Sequence, residues 1–437
     1  MSETAPGFRT DPGAAVGGET RVPGDKSISH RAAMLGAIAR GVTEIDGFLE
    51  GQDCLATLAA FSAMGVRIER PAPGRVIVHG AGVHGLRAPR HALDLGNSGT
   101  AMRLLTGLLC GQSFDTTLLG DASLMRRPME RVAAPLRRMG AAVQTEEGRP
   151  PIAITGGRSL NGCDHVLELP SAQVKSAILL AGLYAQGRTR VHEPAISRNH
   201  TETMLPDFGV EVTHKSGVVS VAGPVELTAT RVVVPGDFSS AAFLIVAGLV
   251  AGTRPLVVRG VGVNPTRTAL IDVLEMMGAD IRLHALAPAG REPVADLEVR
   301  PGSLRGIRVP PALVSVAMDE IPVLLAAAAV AEGETVVTGA SELRVKESDR
   351  LAVMVDGLTA VGVTAEALND GVRVEGGNAK GGVVDARGDH RIAMAFAVLG
   401  ACAQSAIVVR DVQNVATSFP GFVTTARAAG LRLEEID

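Results

Sequence analysis

One pattern recurs six times along the 437 residues and limits the folds open to the chain more than any other feature. A helix ends on a glycine and a short β-like run follows: FSAMGVRIE, LRRMGAAVQ, LPDFGVEVT, LEMMGADIRL, LTAVGVTAE and ARAAGLRLE. The junction glycines are Gly65, Gly140, Gly209, Gly278, Gly362 and Gly430. Glycine there suits the left-handed conformation that closes a helix. A second series interleaves with the first, each member opening a helix: VPGDKSISHRAAM from Val22, LGNSGTAMRLL from Leu95, LPSAQVKSAILL from Leu169, VPGDFSSAAFLI from Val234, AMDEIPVLLAAA from Ala317 and DHRIAMAFAVLG from Asp389. Each opening precedes its glycine by 40 to 45 residues. Self-similarity at a fixed period marks repeated supersecondary units.

Each unit holds two helices separated by short Val/Ile-rich runs such as GRVIVHG and RVVVPG. The first helix is apolar nearly all round, as in SAILLAGL and IAMAFAVLG, which predicts burial. The second is amphipathic: Arg131, Arg137 and Arg138 alternate with Val132, Leu136 and Met139. Buried helices should therefore form an interior, with sheets and amphipathic helices outside. The repeated VPGD at Val22–Asp25 and Val234–Asp237 divides the six units into two sets of three. The expected fold is α/β with two similar lobes. Residues 1–22 give a tail and the first strand of the C-terminal lobe, 23–235 the N-terminal lobe, and 236–437 the C-terminal lobe.

Composition removes several classes of function. Lys+Arg 42 against Asp+Glu 46 gives a net charge of −4, so no global basic field draws in nucleic acid or an anionic membrane. Trp is absent and Tyr occurs once, which leaves no aromatic platform for stacking bases. The apolar runs Ala241–Gly252 and Ile392–Ala403 fall short of a membrane span. Cys54, Cys110, Cys163 and Cys402 are scattered, without C-x-x-C or histidine pairing, so no disulfide framework and no metal site is expected. The opening MSETAPGFRTDPG lacks an apolar signal core and reads as a mobile tail of a cytoplasmic protein.

The helix openings carry unusual polar groups. Free N–H groups and the macrodipole make a helix start an anion site. Lys26, Ser27 and Arg31 surround the first such start, where Ser27 or Ser29 is also a candidate cap. Asn97-Ser98-Gly99-Thr100 opens the next, and Gly99 allows a ligand close to the backbone. Arg126-Arg127 precedes Pro128, placed at the first position of a helix. Ser171, Ala172, Gln173 and Lys175 offer donors at the third start, and Ser197-Arg198-Asn199-His200 follows it. In the second half, Asp319 and Glu320 precede an apolar helix, where dipole complementarity is the simpler reading. The run Glu342–Arg350 mixes charges, with Ser348 a candidate cap, and Asp389-His390-Arg391 opens the last buried helix. Lys26, Arg31 and Arg127 in one half and Lys346, Arg350 and Arg391 in the other predict a cleft for a multiply anionic small molecule. Asp319 and Glu347 among these cations are candidates for proton transfer. Neither a G-x-x-x-x-G-K-[ST] loop nor a G-x-G-x-x-G after a strand occurs, so no nucleotide cofactor is indicated.

VPGDKSISHRA, LGNSGTAMRL, GDASLMRRPM, SAQVKSAILLAG, ELRVKESDRL and DHRIAM together resemble the 5-enolpyruvylshikimate-3-phosphate synthase family, in its bacterial class II form. The resemblance implies two inverted α/β lobes of three βαβαββ units each. It implies transfer of the enolpyruvyl group of phosphoenolpyruvate to the 5-hydroxyl of shikimate 3-phosphate, with release of phosphate, no metal and no cofactor. It assigns Lys26, Ser27, Arg31, Ser171, Ala172, Gln173, Arg198, Asp319 and Lys346 to shikimate 3-phosphate. It assigns Lys26, Gly99, Arg127, Gln173, Arg350 and Arg391 to phosphoenolpyruvate. Asp319 would accept the 5-hydroxyl proton, Glu347 would protonate the methylene carbon and later deprotonate the methyl group, and Lys26 would reach both substrates. A monomer and competition by glyphosate against phosphoenolpyruvate are also implied.

Two positions depart from the class I pattern. Thr417 stands where class I has Lys, so one phosphoenolpyruvate contact is absent or supplied elsewhere. Glu342 stands where class I has Asn. The alternatives are a UDP-N-acetylglucosamine enolpyruvyl transferase of the same fold, which the resemblance associates with a mobile-loop cysteine, and a non-catalytic anion-binding protein.

Overall fold

The computed structural model describes residues 6–215 and 217–436. It divides into two compact units. One comprises Gly24–Val234 with Pro288–Glu292, and the other comprises the remaining described residues.

In the Gly24–Val234 unit, three buried helices follow the three predicted openings: Lys26–Ile38, Gly99–Leu109 and Ala172–Gly182. Side chains such as Leu35, Leu104, Leu105, Ile178 and Leu179 are 1% exposed or less. Each such burial contributes roughly 1.5–3 kcal/mol. The second and third of these helices approach closely because Gly107 has no side chain: a Cβ there would lie 2.1 Å from the Ala177 carbonyl oxygen. Three sheets surround the helices. One holds Ala39–Asp46, Arg67–Ala72, Arg75–Ala81 and two short strands, Leu227–Thr228 and Arg231–Val233. The second orders Leu93–Asp94, Thr116–Leu119, Arg149–Thr155 and Ala142–Glu146. The third orders Asp164–Val166, Gly187–His192, Val218–Gly223 and Val212–Lys215. Each sheet joins a parallel pair to antiparallel neighbours.

The other unit repeats the plan. Its buried helices are Phe238–Val250, Ile321–Ala328 and His390–Gly400, and its own apolar core includes Phe243, Leu244, Leu324, Phe396 and Val398. The Ile321–Ala328 helix is entered through a 3₁₀ turn, Met318–Glu320, that carries the carboxylate pair. All six junction glycines have positive φ, from 80° at Gly362 to 106° at Gly430, as a left-handed helix closure requires. The amphipathic reading of the second helices holds at Glu130–Arg138, where Val132, Leu136 and Met139 are buried and Arg137 and Arg138 exposed.

Several local expectations need correction. Gly7–Asp11 is not a mobile tail: it is a strand lying between Ile407–Arg410 and Arg432–Ile436, with Phe8 buried. Residues 1–5 of the expected tail lie outside the described residues. Pro128 is not the first helical residue, because the helix starts at Glu130 with Met129 as its cap. The expectation that no cysteine pairs with a histidine fails at Cys163, whose Sγ lies 3.2 Å from His165 Nε2. No helix among the described residues is long and apolar enough to cross a membrane.

Candidate active site

Asp25, not Ser27 or Ser29, caps the Lys26–Ile38 helix, its Oδ1 accepting the Ile28 N–H at 2.9 Å. A carboxylate is the stronger acceptor, and the Ser29 hydroxyl is already engaged by the Leu49 N–H at 3.0 Å. Lys26 then opens the helix and ion-pairs with Asp53. One turn on, Arg31 is 4% exposed. It donates through Nε to Thr201 Oγ1 at 2.7 Å, through Nη2 to Ser176 Oγ at 2.8 Å and through Nη1 to the Ser27 carbonyl at 2.9 Å. Burial draws its pKa down to about 10, with Glu202 opposing and the charge of Arg198 adding to the fall. Arg31 therefore stays cationic at neutral pH, and Arg198 is near enough to repel it. Two guanidinium groups so placed favour an anion as partner.

At the second opening Ser98 caps the helix. Gly99 lies against two guanidiniums: a Cβ there would come within 2.9 Å of Arg103 Nη1 and 3.0 Å of Arg127 Nη1. Arg127 Nη2 donates to Asn97 Oδ1 at 2.6 Å, and Asn97 Nδ2 donates to Asp121 Oδ2 at 2.7 Å. The Gln173 amide, one residue past Ala172 at the third opening, accepts from Arg103 Nη1 at 2.7 Å and donates to Thr100 Oγ1 at 3.0 Å. Ser171 Oγ caps that third helix. One helix thus serves both groups, since Gln173 meets the Gly99 cluster and Ser176 meets Arg31. Lys175, read as a donor at the helix start, is instead 1% exposed and held by Glu193 and Glu202.

In the other unit the centre is Arg350, whose side chain is 1% exposed. Its Nε donates to Asp389 Oδ2 at 2.8 Å, its Nη2 to Glu347 Oε2 at 2.6 Å and its Nη1 to Asp319 Oδ1 at 3.4 Å. Burial opposes the guanidinium charge, but the carboxylates of Asp389, Glu347 and Asp319 outweigh it and raise the pKa. Asp389 also caps the last buried helix by accepting the Arg391 N–H at 3.0 Å, and its Oδ2 accepts the Ser348 hydroxyl at 3.0 Å. Ser348 is thus not the cap of the Arg350–Ala360 helix. Asp349 is, accepting the Ala352 N–H at 3.1 Å. Arg391 Nη1 donates to the Asp319 carbonyl at 2.9 Å, and its Nη2 lies 3.6 Å from Asp319 Oδ2. Burial lowers the Lys346 ammonium pKa, against the pull of Asp319 and Glu347. Asp319, Glu347 and Asp389 thus surround Arg350, and the buried Glu320 carboxylate lies 3.8 Å from Arg391 Nη1.

Thr417 is buried and donates its hydroxyl to the Asn414 carbonyl at 2.6 Å, so it supplies no substitute for an ammonium. Glu342 is half-buried in the 3₁₀ turn Ser341–Val345. Sequence reasoning missed Asp53 and Arg103. Arg103 had left a signal, a cation inside the apolar stretch AMRLLTGLL, where an unpaired charge is costly. Asp53 had left none, because an acid in the first turn of a helix, here Gln52–Ala63, is ordinary dipole complementarity.

Residues 10–425 match the EPSP synthase (3-phosphoshikimate 1-carboxyvinyltransferase) family. A 3-phosphoshikimate 1-carboxyvinyltransferase of Methylococcus capsulatus is 55% identical over 428 residues, 98% of this chain and 98% of that protein. One of Alkalilimnicola ehrlichii is 56% identical over 432 residues, covering 98% of this chain and 97% of its own. Among solved structures, an EPSP synthase from Acinetobacter baumannii superposes with a TM-score of 0.88 at 49% identity, covering 99% of this chain and 100% of that one. The enolpyruvyl transferase NikO from Streptomyces tendae shares the fold, at TM-score 0.79 and 18% identity over 99% of both chains. With its six units, its paired carboxylates on a buried arginine and a family match over nearly its whole length, the chain belongs to the EPSP synthase family.

Proposed function

We propose that the chain transfers the enolpyruvyl group of phosphoenolpyruvate to the 5-hydroxyl of shikimate 3-phosphate through the side chains described above. The observation that carries this reading is the placing of two carboxylates, Asp319 and Glu347, on one buried guanidinium, Arg350. Addition of an alcohol to an enol phosphate needs a base at the hydroxyl and a proton donor at the methylene carbon. Asp319 takes the 5-hydroxyl proton. Glu347 protonates the methylene carbon, which leaves a cationic neighbouring carbon for the oxygen to attack. The tetrahedral adduct then loses phosphate as Glu347 removes a proton from the new methyl group.

The cations serve the anions of the two substrates. Lys26, Ser27, Arg31, Ser171, Ala172, Gln173 and Arg198 hold shikimate 3-phosphate, with Lys346 and Asp319 completing the set. Lys26, Gly99, Arg127, Gln173, Arg350 and Arg391 hold phosphoenolpyruvate, whose carboxylate and phosphate suit planar guanidinium groups. The working form is a single chain in the cytoplasm.

The test is calorimetry with shikimate 3-phosphate and, separately, UDP-N-acetylglucosamine. Binding of the first and not the second is expected, together with a loss of tenfold or more in Lys26→Ala, in keeping with a charge-assisted contact of about 1.5–3 kcal/mol. Equal binding of both ligands, or no effect of Lys26→Ala, would overturn the assignment.

A further inference from the structure

The Ala172–Gly182 helix carries a charged group that the reaction does not use. Lys175 is 1% exposed, and its Nζ lies 2.6 Å from Glu193 Oε2 and 2.7 Å from Glu202 Oε1. Both glutamate side chains are less than 10% exposed. Taking three charges out of water is costly, and replacing them by apolar groups is often neutral or stabilising. Core stability is therefore a poor account of this triad.

The chain positions of the three residues suggest a better one. Glu193 directly follows the Gly187–His192 strand, and Glu202 sits in the His200–Met204 helix. Between them runs the segment bearing Ser197 and Arg198. One ammonium thus pins both ends of that segment to the helix that Ser171 caps and that begins with Ala172 and Gln173. Ser197 donates its hydroxyl to the second oxygen of Glu193, fixing the middle of the segment. A parallel stitch runs one residue along, where Thr201 donates to Ser176 at 2.7 Å and accepts from Arg31. The charges of Glu202 and Arg198 both bear on Arg31, so segment, helix and guanidinium form one electrostatic unit.

We propose that Lys175 is a positioning residue: through Glu193 and Glu202 it holds the segment bearing Arg198 where that guanidinium, within the electrostatic reach of Arg31, meets the acceptor substrate. This rests on the reading of shikimate 3-phosphate as the acceptor. Wild-type binding of that ligand is therefore measured first, and its absence would count against the acceptor assignment, not the triad.

Given binding, Lys175→Met is expected to raise KM for shikimate 3-phosphate about tenfold or more while KM for phosphoenolpyruvate changes less than about twofold, since a misplaced binding group acts on its own ligand. In an Arg198→Ala background the same substitution should have little further effect, because Lys175 acts through Arg198. Glu202→Gln, which keeps the shape of the site, tests the same claim should Lys175→Met fail to fold, and is expected to move KM for shikimate 3-phosphate in the same direction. Equal changes in both KM values, a loss confined to kcat, unchanged kinetics, or full additivity with Arg198→Ala would each overturn the proposal.

Discussion

Asp389 and Arg350 meet at 2.8 Å with both side chains almost wholly out of solvent. The same carboxylate caps the helix that carries Arg391 and accepts the hydroxyl of Ser348, the neighbour of Glu347. One buried acid thereby fixes two arginines and the segment of the proposed proton donor. Asp389→Ala removes a buried charge partner, a change that costs about 3–5 kcal/mol, and a helix cap worth about 1 kcal/mol. Chemical denaturation should show a clear fall in the unfolding midpoint. An unchanged midpoint would mean that Arg350 does not depend on this contact.

Glu347 touches Arg350 at 2.6 Å and is the proposed acid and base on the transferred carbon. Glu347→Gln keeps the hydrogen-bonding shape and removes the proton transfer. Turnover should fall ~10²-fold or more, while calorimetry finds shikimate 3-phosphate binding nearly unchanged. Wild-type turnover in this variant would take Glu347 out of the chemistry.

The space at Gly99 is limited by Arg103 and Arg127. Glyphosate should compete with phosphoenolpyruvate in steady-state kinetics of the wild-type chain. Gly99→Ala would push both guanidiniums aside, raising KM for phosphoenolpyruvate and weakening glyphosate, each by about tenfold, near the 1.4 kcal/mol of one modest contact. Equal inhibition of the two proteins would show that the Gly99 surface does not face the inhibitor.

Burial lowers the His165 pKa from 6.5 to about 4, helped by the nearby Arg138. The folded state keeps this imidazole neutral where the unfolded chain protonates it. Stability is therefore full above pH 6.5 and falls with acidification toward pH 4, by at most about 1.4 kcal/mol per pH unit from this group. His30, also pushed well down by burial, contributes with the same sign. Denaturation of His165→Asn between these pH values should show a shallower loss than wild type. An identical slope would mean that His165 is protonated in the folded protein.

The architecture was legible in the sequence because each unit declares its ends. The glycines have to adopt positive φ, and helices such as Phe238–Val250 are too apolar to lie at a surface. The candidate residues were legible because cations and carboxylates at buried helix starts need a reason. The use of each group was less so. Capping at Asp25 and Asp349, against the expected Ser27 or Ser29 and Ser348, turned on which acceptor reached the N–H, a choice made by the rest of the fold. The place of Lys175 depended on Glu193 and Glu202, 18 and 27 positions away in the chain. The Gly7–Asp11 strand was missed because its partners, Ile407–Arg410 and Arg432–Ile436, lie at the far end of the sequence.

The most direct test of the assigned chemistry is phosphate release, followed continuously with phosphoenolpyruvate and one acceptor at a time. Release with shikimate 3-phosphate, abolished to the extent of ~10² or more by Asp319→Asn, and none with UDP-N-acetylglucosamine, is the predicted result. Release with the UDP-sugar alone, or none with shikimate 3-phosphate, would contradict it.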